Sequence, residues 1–345
     1  MTAPRYGVSR ADLENLLEAW GEPRYRADQV WKGLYEQRQP LDEVSTLPKA
    51  LRKRLVDTVP LALTVRADQT GDAGMTRKWL WEGADGAQVE TVLMRYPDRA
   101  TVCVSSQAGC AMACSFCATG QAGFERHLTT GEIVEQVVRA QHASPQRVSN
   151  VVFMGMGEPL ANLEGVWPAV ERLHDDLGLS ARNITVSTVG VVPGMRRLVL
   201  ERLPVTLAVS IHAPDDDLRS RLVPLNRRYP LDEVLAAARE YMNVKGRRVT
   251  FEYVMLEGVN DAEEQADALG ALLVGARFGV SAHVNLIPYN TTPGFDARAS
   301  HGERIRRFAR RLERPGVTVT IRRNRGVDID AACGQLRFRE VSARQ

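Results

Sequence analysis

Cys110, Cys114 and Cys117 stand in the run Cys110-Ala-Met-Ala-Cys114-Ser-Phe-Cys117, a C-x3-C-x2-C spacing with an aromatic residue just before the last thiol. Thiolates are the usual ligands of iron–sulfur clusters, and a short loop lets several converge on one small cube. Three thiolates on a four-iron cube leave one iron open, where a substrate or cofactor can bind and react. Zinc is the main competing reading. Structural zinc wants four ligands, commonly as paired C-x2-C knuckles. Only Cys114 and Cys117 form such a pair here, so Cys103 would have to be the fourth ligand. A thioredoxin-like redox pair leaves Cys110 idle. A secreted disulfide framework fits least, with five cysteines in 345 residues and no apolar segment at the N-terminus.

Other residues carry weaker signals. Gly157 and Glu158, in Gly155-Met-Gly157-Glu158-Pro159, read as a tight turn where backbone can approach a ligand and a carboxylate can meet an ammonium group. An ordinary strand–helix turn explains them as well. Ser187, Ser210, His212 and Asn290 are small polar residues at strand ends, each more often a turn or capping residue when seen alone. Cys103 and Cys333 lie apart from the loop, and buried filler thiols are their plain reading. Glu90, in the alternating stretch Val89-Glu90-Thr91-Val92-Leu93, reads as a solvent-facing strand residue.

The elements that would position these residues follow from periodicity. Ala11 to Trp20 and Arg26 to Glu36 carry apolar residues at helical spacing, punctuated by Pro23, Pro40 and Pro48. Residues 1–60 therefore read as a small helical N-terminal domain. Within 61–100, Arg77–Trp81 and Gln88–Arg95 read as strands around a Gly83-Ala-Asp-Gly86 turn, making a β-rich connecting segment. From 101 to 345 strand and helix alternate. Strands are expected at Thr101–Ser105, Asn150–Met154, Asn183–Ser187, Val205–Ser210, Thr250–Met255 and His283–Ile287, with a further strand at Val317–Arg322. Helices are expected at Gly131–Gln141, Leu163–Asp176, Pro193–Glu201, Leu231–Tyr241, Ala262–Val274 and Glu303–Leu312. Such alternation implies an α/β fold with a parallel sheet covered by helices. Six units are too few for an eight-fold barrel, so an open, partial (βα)6 barrel is expected, with a doubly wound sheet as the alternative. Either way ligands belong at the carboxyl ends of the strands. The cysteine loop, the Gly157–Glu158 turn, Ser187, the run Ser210-Ile211-His212 and Asn290 all fall at that end.

The chain is 44% hydrophobic, enough for a sizeable core, and shows no apolar run suited to a membrane helix. This reads as a soluble cytoplasmic protein. The net charge of +3 says little, but its distribution says more. Nine arginines face two acids between His301 and Arg325. Ile305, Phe308, Ala309 and Leu312 fall at helical spacing, so most of these arginines lie off the apolar stripe. Smaller basic clusters are Lys49, Arg52, Lys53 and Arg54, and Lys245, Arg247 and Arg248. Arginine-rich faces suit phosphate backbones, and a solvated helix face explains them equally.

Taken together, Glu90-Thr-Val-Leu, Cys103-Val-Ser-Ser-Gln-Ala-Gly-Cys110, Cys117-Ala-Thr-Gly, Gly155-Met-Gly-Glu-Pro159, Ser210-Ile-His-Ala-Pro214 and Asp328-Ile-Asp-Ala-Ala-Cys-Gly-Gln-Leu336 resemble the RlmN family of radical S-adenosylmethionine (SAM) enzymes. The likeness runs over nearly the whole chain; Val327 stands where a more polar residue is expected. The resemblance implies a radical-SAM-type barrel and one 4Fe–4S cluster on Cys110, Cys114 and Cys117. It also implies SAM held by Gly157, Glu158, Ser187, Ser210, Ile211, His212 and Asn290. It implies methylation at C2 of adenine 2503 in 23S rRNA and adenine 37 in tRNAs, with an electron donor such as flavodoxin and a monomeric enzyme. Adenine C2 is electrophilic, so simple displacement on SAM fails there. In the family's scheme Cys333 first becomes S-methylcysteine. One electron from the cluster cleaves a second SAM to a 5′-deoxyadenosyl radical that takes hydrogen from that methyl group; the resulting methylene radical adds to C2, and the adduct gives up an electron. Glu90 removes the C2 proton. Cys103 then attacks the Cys333 sulfur, leaving a transient disulfide. A Cfr-like C8 methyltransferase and a zinc-stabilised RNA-binding protein without catalysis are the alternatives.

Overall fold

A computed structural model describes residues 3–278, 282–292 and 294–322. Cys333 and Val327 lie outside the described residues. The chain opens with helices. Helix α1 (Arg10–Ala19) is capped by Ser9, whose Oγ accepts from the Asp12 N–H at 3.0 Å. Helix α2 (Tyr25–Trp31) runs into one π-type turn over Lys32–Glu36, so the single helix expected for 26–36 changes its winding midway. Helix α3 (Lys49–Thr58) follows Pro48. Leu13, Leu17, Val30, Leu34, Leu51 and Leu55 from these elements are buried in the main hydrophobic core.

The remainder is built on one ten-stranded sheet. Strands β1 (Leu63–Gly71), β2 (Thr76–Gly83), β3 (Gln88–Arg95) and β4 (Ala100–Cys103) pair antiparallel in sequence order. From β4 onward the pairing turns parallel, through β7 (Val148–Phe153), β8 (Ile184–Thr188), β9 (Thr206–Ser210), β10 (Thr250–Met255), β11 (His283–Pro288) and β12 (Thr318–Ile321). Between β4 and β7 a small hairpin stands apart, β5 (Gln107–Gly109) with β6 (Phe124–His127), enclosing the short helix α4 (Ala118–Gln121).

Helices α5 (Thr130–His142), α6 (Leu163–Asp175), α7 (Val192–Leu200), α9 (Leu231–Lys245), α10 (Glu263–Gly275) and α11 (Gly302–Glu313) connect the parallel strands, and α8 (Asp216–Leu222) adds a short turn after β9. This is the expected partial (βα)6 barrel, with element ends displaced by one or two residues except in α9, which runs four residues further. The alternation supplies the reason. Val186 on β8 is fully buried in the hydrophobic core, whereas the adjacent Ser187 lines a cavity.

The N-terminal helices and the barrel share their core. Arg172 on α6 donates to the Tyr6 carbonyl and to Tyr35 Oη, and Trp31 Nε1 donates to Asp176 Oδ1 at 3.0 Å. The Glu135 carboxylate on α5 accepts the Ala62 and Leu63 N–H groups at 2.7 and 3.2 Å. These contacts tie the helical segment to α5 and α6, the helices beside the cysteine hairpin.

Candidate active site

The cysteine loop is folded by its own backbone and by its neighbours. The Cys110 N–H donates to the Gly123 carbonyl at 2.8 Å, across the β5–β6 hairpin. Only glycine fits at 109, where φ is +76° and a Cβ would fall 2.0 Å from the Gly123 oxygen. The Cys117 N–H donates to the Cys114 carbonyl, and Gln121 Nε2 holds the Ser115 carbonyl at 2.7 Å. On the other side the Ser115 N–H donates to the Leu222 carbonyl of α8 at 3.0 Å.

All three cysteines line one cavity of about 230 Å³. No three His, Cys, Asp or Glu side chains among the described residues form a group that would hold a single metal ion. Burial pushes the Cys110 thiol up to about 12 and the Cys114 thiol well above its usual range, and the neighbouring sulfurs add to both shifts.

Gly155, Gly157 and Glu158 form the adjoining wall. At Gly157 φ is +99°, and a Cβ would fall 2.5 Å from Gln107 Cβ. Gln107 Oε1 in turn accepts the Glu158 N–H at 2.8 Å, so the turn is pinned to the cysteine hairpin. The Glu158 carboxylate accepts the Leu160 and Val189 N–H groups at 3.0 and 2.9 Å. Burial outweighs these bonds and raises its pKa to about 7. Glu158 thus joins the β7 and β8 loops as well as facing the cavity.

Ser187, Ser210 and His212 line the same cavity from the ends of β8 and β9. His212 takes a left-handed backbone, with φ at 59°. Its Nδ1 accepts the Val254 N–H at 3.1 Å, and its ring meets Phe116 edge-on at 4.7 Å. Burial, with Arg219 adding to it, lowers its pKa to about 3, so the ring is neutral and carries its proton on Nε2. Ile211 is placed elsewhere: it is fully buried in the core, and its N–H donates to the Glu252 carbonyl. Asn290 follows β11 and is not on the wall of this cavity.

Glu90 and Cys103 sit together on a different part of the sheet. Glu90 is buried, not solvent-facing, and pairs with the fully buried Lys78 at 2.9 Å. The antiparallel register explains this. Glu90 lies opposite Leu80, and Cys103 lies opposite Val92, so these positions share one face. The other face carries Trp81, whose Nε1 donates to Thr91 Oγ1 beneath α5.

Two charged cavity residues escaped the sequence reading. Glu252 on β10 is paired in register with Ser210 and Asn285. One of its oxygens accepts from Asn285 at 2.7 Å, the other has no hydrogen-bond partner among the described residues, and burial raises its pKa. Arg322, just beyond β12, approaches it at 3.8 Å. A lone acid inside a predicted strand was the available signal.

The donor set fits an iron–sulfur cluster. Three thiols line one cavity, and burial opposes ionisation of Cys110 and Cys114, so a cationic group is needed to take them as thiolates. The turn at Gly157 offers a close backbone approach beside them. The comparisons agree. Residues 104–269 match the Radical SAM superfamily, and residues 6–60 match the Ribosomal RNA large subunit methyltransferase N-terminal domain. A probable dual-specificity RNA methyltransferase RlmN of Chloroflexus aurantiacus is 52% identical, covering 96% of this chain and 92% of that protein. The protein of the same description from Roseiflexus castenholzii is 48% identical, with 96% and 95% covered. The crystal structure of a radical SAM methyltransferase from Sphaerobacter thermophilus matches with a TM-score of 0.90 at 50% identity, covering 97% of this chain and 99% of that one. Fold and site together define a radical SAM methyltransferase, an enzyme that uses a 4Fe–4S cluster and SAM. Within that class the chain belongs to the RlmN family of dual-specificity RNA methyltransferases.

Proposed function

We propose that this enzyme methylates C2 of adenine 2503 in 23S rRNA and of adenine 37 in tRNAs, through S-methylcysteine at Cys333 and with two SAM per turnover. The observation that best supports the reading is the convergence of Cys110, Cys114, Cys117, Gly157, Ser187, Ser210 and His212 on one cavity at the carboxyl ends of the strands. Bound by the three cysteines, the cluster supplies the electron for reductive SAM cleavage. The protein's part is to hold and orient. The backbone at Gly157 lets the methionine end of SAM approach the loop, and the hydroxyls of Ser187 and Ser210 and the Nε2–H of His212 serve as hydrogen-bonding groups along the cavity. Asn290 and Ile211 act at its margin, Asn290 through its side chain and Ile211 by fixing the backbone between Ser210 and His212.

Cys333 carries the methyl group, Glu90 takes the C2 proton, and Cys103 resolves the protein–RNA link through a transient disulfide with Cys333. Lys78, paired with Glu90 at 2.9 Å, fixes the position of that carboxylate in the sheet. Residues 1–60 serve as an RNA-binding accessory domain, 61–100 as the β extension carrying Glu90, and 101–345 as the catalytic core. A flavodoxin-type donor, a monomeric state and a cytoplasmic setting complete the proposal. No helix among the described residues is long and apolar enough to cross a membrane.

The test is anaerobic turnover on a ribosomal RNA fragment and on tRNA, followed by mass spectrometry of the digested RNA. 2-Methyladenosine with 5′-deoxyadenosine is expected, and 8-methyladenosine would place the enzyme with the Cfr-like C8 methyltransferases. Cys333→Ala should abolish methylation while SAM cleavage persists, whereas full methylation by that variant would sink the S-methylcysteine route.

A further inference from the structure

Arg219 on α8 is a buried cation without an ionic partner. Its side chain is fully inaccessible. Nε donates to the Ile211 carbonyl at 3.1 Å and Nη1 to Asn226 Oδ1 at 2.6 Å. Nη2 donates to the Val189 carbonyl at 2.6 Å and the Ser210 carbonyl at 3.2 Å. All four acceptors are neutral, and no carboxylate lies within 4.0 Å among the described residues. A buried charge held only by neutral groups is costly, and such groups persist where an anion compensates them.

The groups whose negative charge bears on Arg219 are the Cys114 sulfur, once it is a thiolate, and the Asp216 carboxylate. Asp216 is engaged elsewhere, its Oδ1 accepting from Asn226 Nδ2 at 2.9 Å and from the Leu231 N–H at 2.8 Å. The cysteine loop packs on the helix that carries Arg219. Cys114 shares an apolar cluster with Leu218, Leu222 and Val223, and Ser115 is bonded to Leu222. Once three thiolates hold a 4Fe–4S cluster, that site carries net negative charge, and one further electron deepens it.

We propose that Arg219 is the fixed counter-charge of the cluster, a positioning residue that favours the reduced state while its carbonyl bonds set the strand ends lining the SAM cavity. The inference rests on the ligation by Cys110, Cys114 and Cys117. The step it concerns is the transfer of one electron from an external reductant to the cluster, with no bond made or broken. In a poorly screened interior a nearby positive charge stabilises the added electron.

The test reconstitutes the full-length wild type, Arg219→Gln, Arg219→Lys and Asn226→Ala without oxygen. It measures iron and sulfide content, then the one-electron midpoint potential without SAM by mediated titration read by electron paramagnetic resonance. Arg219→Gln should disfavour the reduced cluster about tenfold or more, a potential lower by about 59 mV. Arg219→Lys, which keeps the charge, and Asn226→Ala, which loosens the clamp but keeps the guanidinium, should stay near the wild type. Loss of the cluster in Arg219→Gln with retention in Arg219→Lys supports the proposal equally. An unchanged potential in Arg219→Gln overturns it, as does an equal shift in Asn226→Ala, or loss of the cluster in both Arg219 variants. A Cys114→Ala chain that kept its full cluster would instead refute the ligand assignment.

Discussion

His212 combines a left-handed backbone, a buried ring and an Nδ1 already committed to the Val254 N–H. Protonating the ring would break that bond and bury a charge near Arg219. The folded pKa of about 3 lies below the value near 6.5 of an unfolded histidine. Between those values the unfolded chain binds a proton that the folded chain refuses. Stability from this group is therefore complete above pH 6.5 and drains away as pH falls towards 3, by about 3–5 kcal/mol in all. Glu158, raised to about 7, works in the opposite sense: its contribution is present below its unfolded pKa and is lost as pH rises through 7. Only a difference between wild type and variant isolates the histidine. Urea unfolding of wild type and His212→Gln from pH 7 to pH 4 should show the gap between them shrinking as pH falls. A gap constant across that range would mean that His212 titrates normally in the fold.

At the scale of elements, the turn from Gly155 to Pro159 bears the tightest constraint. A methyl group at Gly157 meets Gln107 and a φ of +99°, and such strain costs about 1–3 kcal/mol before any repacking. Gly157→Ala should keep the barrel's circular dichroism but weaken SAM binding by about tenfold or more, since 1.4 kcal/mol is tenfold. Equilibrium dialysis with SAM reads this, and unchanged affinity would remove the turn from the SAM site. The glycine was legible in the sequence because its type and its place after a strand are local facts. The same locality explains what was read well elsewhere. The stripe Ile305, Phe308, Ala309 and Leu312 is buried as its spacing implied, and the strand–helix alternation gave the order of the parallel sheet. What was missed is non-local or short. The hairpin of β5 and β6 has strands of only three and four residues, too few to show a period. Glu252 becomes a cavity residue only through its register with Ser210, and Glu90 a buried one only through Lys78 on the neighbouring strand. Ile211 was carried into the candidate site by its place between Ser210 and His212, yet an apolar residue there turns to the core.

For the whole molecule the question is where a large polyanion rests. The arginines of α11 divide into two sets. Arg304, Arg307 and Arg311 are engaged by Asp261, Glu303 and Asp267, so their charge is largely answered within the protein. Arg306, Arg310 and Arg314 are exposed and make no ion pair among the described residues. Each phosphate neutralised by a cation steepens the salt dependence of binding by about 0.7 to 0.9 in the slope of log K against log salt. If α11 lies along the RNA backbone, replacing Arg306, Arg310 and Arg314 together by alanine should flatten that slope by about 2, with SAM affinity unchanged. Replacing Arg307 and Arg311 should flatten it less, since Glu303 and Asp267 already answer their charge and leave them little to give a phosphate. The measurement is RNA binding by anisotropy over a range of potassium chloride concentrations. A slope unmoved by the triple change would make α11 an ordinary solvated face. It would shift the RNA towards Lys49, Arg52, Lys53 and Arg54 on α3, in the helical segment latched to α5 and α6.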